Sequence, residues 1–111
     1  MQGFDAQSAK QYILRHMDKR PFRSLANRLE EIVDDFITYD LHFMRLTGVL
    51  DEDGLQGPGA YDDDEAFEYI YDAWLSDHPQ ETDEDMAVAA VLNAYMQWQE
   101  RYLILSGLAD V

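Results

Sequence analysis

Residues 21–47 read PFRSLANRLEEIVDDFITYDLHFMRLT. Phe22, Leu25, Ala26, Leu29, Ile32, Val33, Phe36, Phe43 and Met44 recur at steps of three and four, the spacing of a helix face turned to a core. Pro21 suits the first turn of a helix, because its fixed φ is already helical and its missing N–H has no partner there. Gly48 supplies the left-handed stop that ends helices well. The spacing predicts one helix over 21–47, about 40 Å long at 1.5 Å per residue.

Outward from this segment the same period continues. Asp5 is placed to cap a first helix over 6–18, with Ala9, Tyr12, Ile13 and Met17 at helical spacing and His16 on the same side. Residues 48–62 are an acidic stretch with four of the six glycines, and the spacing predicts a loop longer than most connections. Asp62, Asp63, Asp64 and Glu65 then stand at a helix start, where the macrodipole favours acids. A third helix is expected over 63–77, with Phe67, Ile70, Ala73 and Trp74 on one face and His78-Pro79 closing it. Thr82–Asp85 resembles a capping box for a fourth helix over 83–106, with Gly107 as its stop and Leu108 placed for the usual hydrophobic contact. No segment alternates with period two. The chain is therefore expected to be all-α, a single domain over 1–111 with about four helices, two long and two shorter. The third and fourth helices, joined tightly, should form an antiparallel hairpin.

Composition supports a folded chain: 111 residues, 47 % hydrophobic, with 14 aromatic residues. No apolar run approaches the ~18 residues of a membrane span. The first residues, MQGFDAQSAK, lack the apolar core of a signal peptide, so a cytoplasmic location is expected. The absence of cysteine excludes disulfides, thiolate zinc sites and cysteine nucleophiles.

Charge is distributed unevenly. Residues 1–28 hold six of the eight basic side chains and sum to +4, while the remaining 83 residues sum to −19. Fourteen acids fall within 51–85, and no Lys or Arg stands between Leu46 and Glu100. Such a body repels phosphate, so direct binding of nucleic acid is not expected. The basic head is expected to dock on the acidic body instead.

The fourth helix carries two apolar lines. Met86, Ala89, Ala90, Met96 and Leu103 form one; Val88, Val91, Leu92, Tyr95, Trp98, Tyr102 and Leu105 form the other. A helix apolar over more than half its circumference is either central in a bundle or partly covered by a second copy or another partner.

Candidate chemistry is sparse. Asp40 falls on the apolar stripe of the second helix, where a carboxylate must be paired or shifted in pKa, and Arg15, Arg45 and Arg101 are its expected partners. Asn93 and Glu100 fall seven apart on the Met86–Leu103 line. A ligand-binding or enzymatic bundle would draw on Asp40, His42, Asn93 and Glu100. No acid stands three residues before a histidine, so the Glu-x-x-His pairing of helical di-metal sites is missing. Asp51-Glu52-Asp53-Gly54 begins like a calcium loop but places Leu55 and Gln56 where a ligand and the invariant Gly belong. The serines and histidines form no triad pattern, and Gly54, Gly57 and Gly59 lack the Lys of a phosphate cradle. Neither a metal, a cofactor nor a catalytic residue is assigned, and the chain is not expected to be an enzyme.

What the sequence favours is a surface. Asp62, Asp63, Asp64, Glu65, Glu68, Tyr69 and Asp72 place carboxylates and an aromatic ring along the third helix. Such an array attracts a basic protein and, in its sharpest form, imitates the phosphates and bases of DNA.

Overall fold

The computed structural model describes residues 4–79 and 85–108, with the side chain of Asp85 left aside. Four α-helices are present: α1 (Ala6–His16), α2 (Leu29–Leu46), α3 (Asp63–Asp77) and α4 (Asp85–Leu105), with a 3-10 helix (Arg20–Leu25) between α1 and α2. There is no strand among the described residues, and the fold is all-α as expected.

Capping follows local chemistry. The Asp5 carboxylate accepts the backbone N–H groups of Gln7 and Ser8 at 3.0 and 3.1 Å, and Asp62 accepts that of Glu65 at 3.1 Å. Gly48 and Gly107 take φ of 78° and 73°, and the N–H of Leu108 reaches back to the Leu103 carbonyl at 2.8 Å. Both expected glycine stops are therefore in place. The capping box expected at Thr82–Asp85 lies outside the described residues.

The segment 21–47 differs from expectation: it is two elements, not one. Pro21 opens the 3-10 helix, Phe22 leaves helical geometry at φ −111° and ψ 30°, and α2 begins only at Leu29. In 3-10 geometry residues three apart eclipse, so Phe22 and Leu25 both reach the core from a short element set apart from α2. α1 likewise ends at His16 rather than residue 18. Asp18 accepts both the backbone N–H and the guanidinium of Arg20, which fixes the turn.

Residues 48–62 are an ordered ribbon rather than an open loop. Gly57 and Gly59 donate to the carbonyls of Val49 and Gly48 at 2.9 and 2.8 Å, and Leu50 pairs with Gln56 in an antiparallel bridge. One Asp51 carboxylate oxygen accepts the N–H groups of Asp53 and Leu55. A Cβ at Gly57 or Gly59 would run into the carbonyl oxygens of Gly48 and Thr47, so only glycine fits this approach. Val49 and Leu50 are buried, and the Phe4 N–H bonds the Gly54 carbonyl, tying the tip to the start of the chain.

The core is built from Ile13, Phe36, Ile70, Trp74, Leu92, Tyr95 and their neighbours in a body of 39 × 27 × 20 Å. α4 packs against α1, α2, α3 and the 3-10 helix, and Val88, Val91, Leu92, Tyr95, Met96 and Leu103 of its two apolar lines are buried. Met86 and Leu105, at its two ends, remain exposed. α1 docks on α2 through Lys10, whose ammonium lies 3.0 Å from Glu30 and 2.9 Å from Asp34. That is the expected contact between basic head and acidic body. No helix among the described residues is long and apolar enough to cross a membrane.

Candidate functional site: a caged carboxylate and an acidic groove

Asp40 projects from α2 into the core and is fully buried. The expected arginine is not there. Tyr61, at the end of the ribbon, donates its hydroxyl to both carboxylate oxygens at 3.1 and 2.9 Å. Tyr95 of α4 donates at 2.7 Å and the Gln99 amide at 3.3 Å, both to Oδ2. Three neutral donors thus replace a cation. Arg15, Arg45 and Arg101 are exposed, because an extended guanidinium keeps its hydration at the surface, whereas a phenol can be buried as apolar area with one polar tip. Loss of solvent pushes Asp40 up to about 6, against the pull of Tyr95, Tyr61 and Gln99 in the other direction. The carboxylate in turn holds Tyr61 and Tyr95 well above the ordinary tyrosine range, after burial itself.

Gln99 is fully buried, and its Oε1 has no hydrogen-bond partner among the described residues. Its Nε2 is committed to Asp40. The amide therefore leaves one strong acceptor open beside the cage.

Beyond the cage, α3 and α4 enclose a surface groove. Asp63, Asp64, Glu68, Asn93, Gln97 and Glu100 wall it, with Phe67 and Met96 as its apolar part. Asp63 at the start of α3 stands by Glu100 near the end of α4, as in the antiparallel hairpin expected for these two helices. Partial burial raises Asp63 to about 6, followed by its hydrogen bond to Glu100 and the like charge of that carboxylate. A smaller cavity of about 200 Å³ adjoins it, lined by residues 56–61, Glu100 and Leu108.

The candidate residues separate into distinct places. Asp63, Asp64 and Glu68 share the groove with Asn93 and Glu100. Asp62 caps α3, and with Asp63, Asp64, Glu65 and Glu100 it borders a shallower depression by Tyr61. Asp72 is exposed further along α3. Tyr69 turns the other way, its ring 5.3 Å from Phe43 and 6.1 Å from His42, so it fills the α2–α3 seam rather than standing between carboxylates. Asp40, His42, Asn93 and Glu100 do not share one pocket: Asp40 is inside, His42 is on that seam, and only Asn93 and Glu100 line the same groove. Among the described residues no three acidic or histidine side chains are grouped to hold a metal ion.

Sequence reasoning missed Tyr61, Tyr95 and Gln99 as the partners of Asp40. One signal was available. A carboxylate on an apolar stripe requires buried donors, and Tyr95 lies on the core line of α4. Comparison with known protein families, with curated proteins and with solved structures finds no match to this chain.

Proposed function

We propose that the chain is a small acidic interaction module that receives a basic surface of another protein in the α3–α4 groove. The observation that carries this reading is the groove itself: carboxylates of Asp63, Asp64, Glu68 and Glu100 stand around Phe67 and Met96, and no cation pairs with them among the described residues. Apolar area with charged walls is what a basic, amphipathic segment matches. A net charge of −15 extends that attraction and speeds the encounter. Carboxylates held on a rigid helix stand in for phosphates, so nucleic-acid-binding proteins are the partner class this surface fits best. Asp40, enclosed by its donors, positions chain segments and has no approach for a substrate, which favours binding over catalysis.

The test is capture from a lysate at low salt, elution in rising salt, and measured affinity for the basic protein recovered. Asp64→Asn with Glu68→Gln should weaken binding at least about tenfold, as lost charge pairs at an interface do. Glu52→Gln with Asp53→Asn, an equal loss of charge on the ribbon, should leave affinity nearly unchanged. Duplex DNA should compete if the partner's nucleic-acid site is the surface engaged. Equal effects of the two double variants, or recovery of no basic protein, would remove this reading.

A further inference from the structure

Tyr61 stands between two carboxyl sites. On its inner side its hydroxyl bonds Asp40. Two residues further on, Asp63 meets Glu100 of α4, and Glu100 follows Gln99, whose amide also bonds Asp40. One seam between the end of the ribbon and α4 therefore contains Asp40, Asp63 and Glu100. The groups facing it are Asp40 from α2, Tyr61 and Asp62 from the ribbon, Asp63 from α3 with Asp64 and Glu65 further out, and Tyr95 and Glu100 from α4. Of the basic groups of α1, Lys10 is held by Glu30 and Asp34, His16 stacks on Trp98, and Arg15 is exposed. Among the described residues the nearest cation is Arg101, exposed beside Glu100 on α4 in a separate depression with Gln97, Trp98 and Ile104, and it makes no ion pair with these carboxyls.

We propose that this seam is a proton-controlled latch, closed while Asp40 and Asp63 hold protons and loosened over residues 60–66 when they ionise.

Each half of the latch has a partner for its proton. Asp63, which lines the same groove as Glu100, can donate its acid proton to that carboxyl, and once Asp63 ionises the contact loses that bond and sets like charges together. At Asp40 the ionised form accepts three donors but leaves an unpaired charge in the core, and that burial outweighs the bonds, whereas the acid form carries no charge and must also donate. Rotation of the Gln99 amide about its last torsion exchanges Nε2 for Oε1 and presents the open acceptor to that proton. Glutamine serves both states; a lysine or arginine would lock the ionised one. Asp40 and Asp63 are both raised to about 6, so the two halves release protons in one window. Groups raised on folding favour the closed form below that window and weaken it above. The moving part is bounded. Gly57 and Gly59 keep their own bonds to Val49 and Gly48, so the release begins after them, at Ala60 and Tyr61.

The latch is independent of any partner, and amide hydrogen exchange on the isolated full chain tests it. After correction for the intrinsic rate, protection within residues 60–66 should fall at least about tenfold from pH 5 to pH 7.5, one pKa unit of differential proton binding being a factor of ten. Protection in α1 and in the first turns of α2 should hold. Asp40→Asn with Glu100→Gln should make protection of 60–66 independent of pH. Unchanged protection in the wild type, or the same loss in the double variant, overturns the latch. Should that variant not fold, the carboxyl-carbon shift of Asp40 in the wild type decides. A midpoint near 6, coincident with the loss of protection, supports the latch, and a midpoint near the ordinary aspartate value overturns it.

Discussion

At Asp40 the folded chain binds a proton more tightly than the unfolded one does. The carboxyl moves from 3.8 to about 6 on burial. The stabilisation this brings is complete below the unfolded value and is lost as pH rises through about 6. Two units correspond to about 3 kcal/mol, since each unit is worth about 1.4. Asp40→Asn removes the titration and keeps the shape. With its amide oxygen in the place of the present Oδ2, it still accepts from Tyr61, Tyr95 and Gln99. The variant should match the wild type at pH 4 and exceed it by about 1–3 kcal/mol at pH 8, measured by urea unfolding. An equal loss at both pH values would show that the donors, not the charge, dominate. The sequence marked Asp40 as exceptional because a carboxylate on an apolar stripe is conspicuous. It did not reveal the partners, which stand 21 and 55 residues away at Tyr61 and Tyr95.

At the scale of elements, α1 is bound to the body by more than charge. Ala9, Ile13 and Met17 enter the core, and each larger buried apolar side chain contributes about 1.5–3 kcal/mol. Against a typical domain stability of about 5–15 kcal/mol, removal of residues 1–17 should leave a chain without a cooperative thermal transition. Circular dichroism reads this directly, and an unchanged midpoint would mean that α1 is dispensable. The helical period, the Asp5 cap and the Gly48 and Gly107 stops were legible because each acts within a few residues of itself. The break between the 3-10 helix and α2 was not, since Phe22 and Leu25 continue the three-and-four spacing while the backbone changes direction. The order within 48–62 was also hidden. Glycine and acidic composition reads as loop, but bonds between Gly57 and Val49 and between Gly59 and Gly48 convert it to a ribbon.

For the whole molecule, a net charge of −15 on a body 39 × 27 × 20 Å produces repulsion that salt screens. The melting temperature should therefore rise by several degrees between about 0.02 and about 0.5 M sodium chloride, where the screening length shortens from about 20 Å to about 4 Å. A falling or constant midpoint in a thermal scan would show that ion pairs such as Lys10 with Asp34 outweigh the repulsion. The sequence by itself determined the helical class, the helix ends and the division of charge, because periodicity, caps and counts are local properties. Only the tertiary structure decided that Asp40 is held by tyrosines, that Tyr69 faces α2, and that Asp63, Phe67, Met96 and Glu100 form one groove. Those are facts of which distant helices pack together, and spacing along one chain carries no record of them.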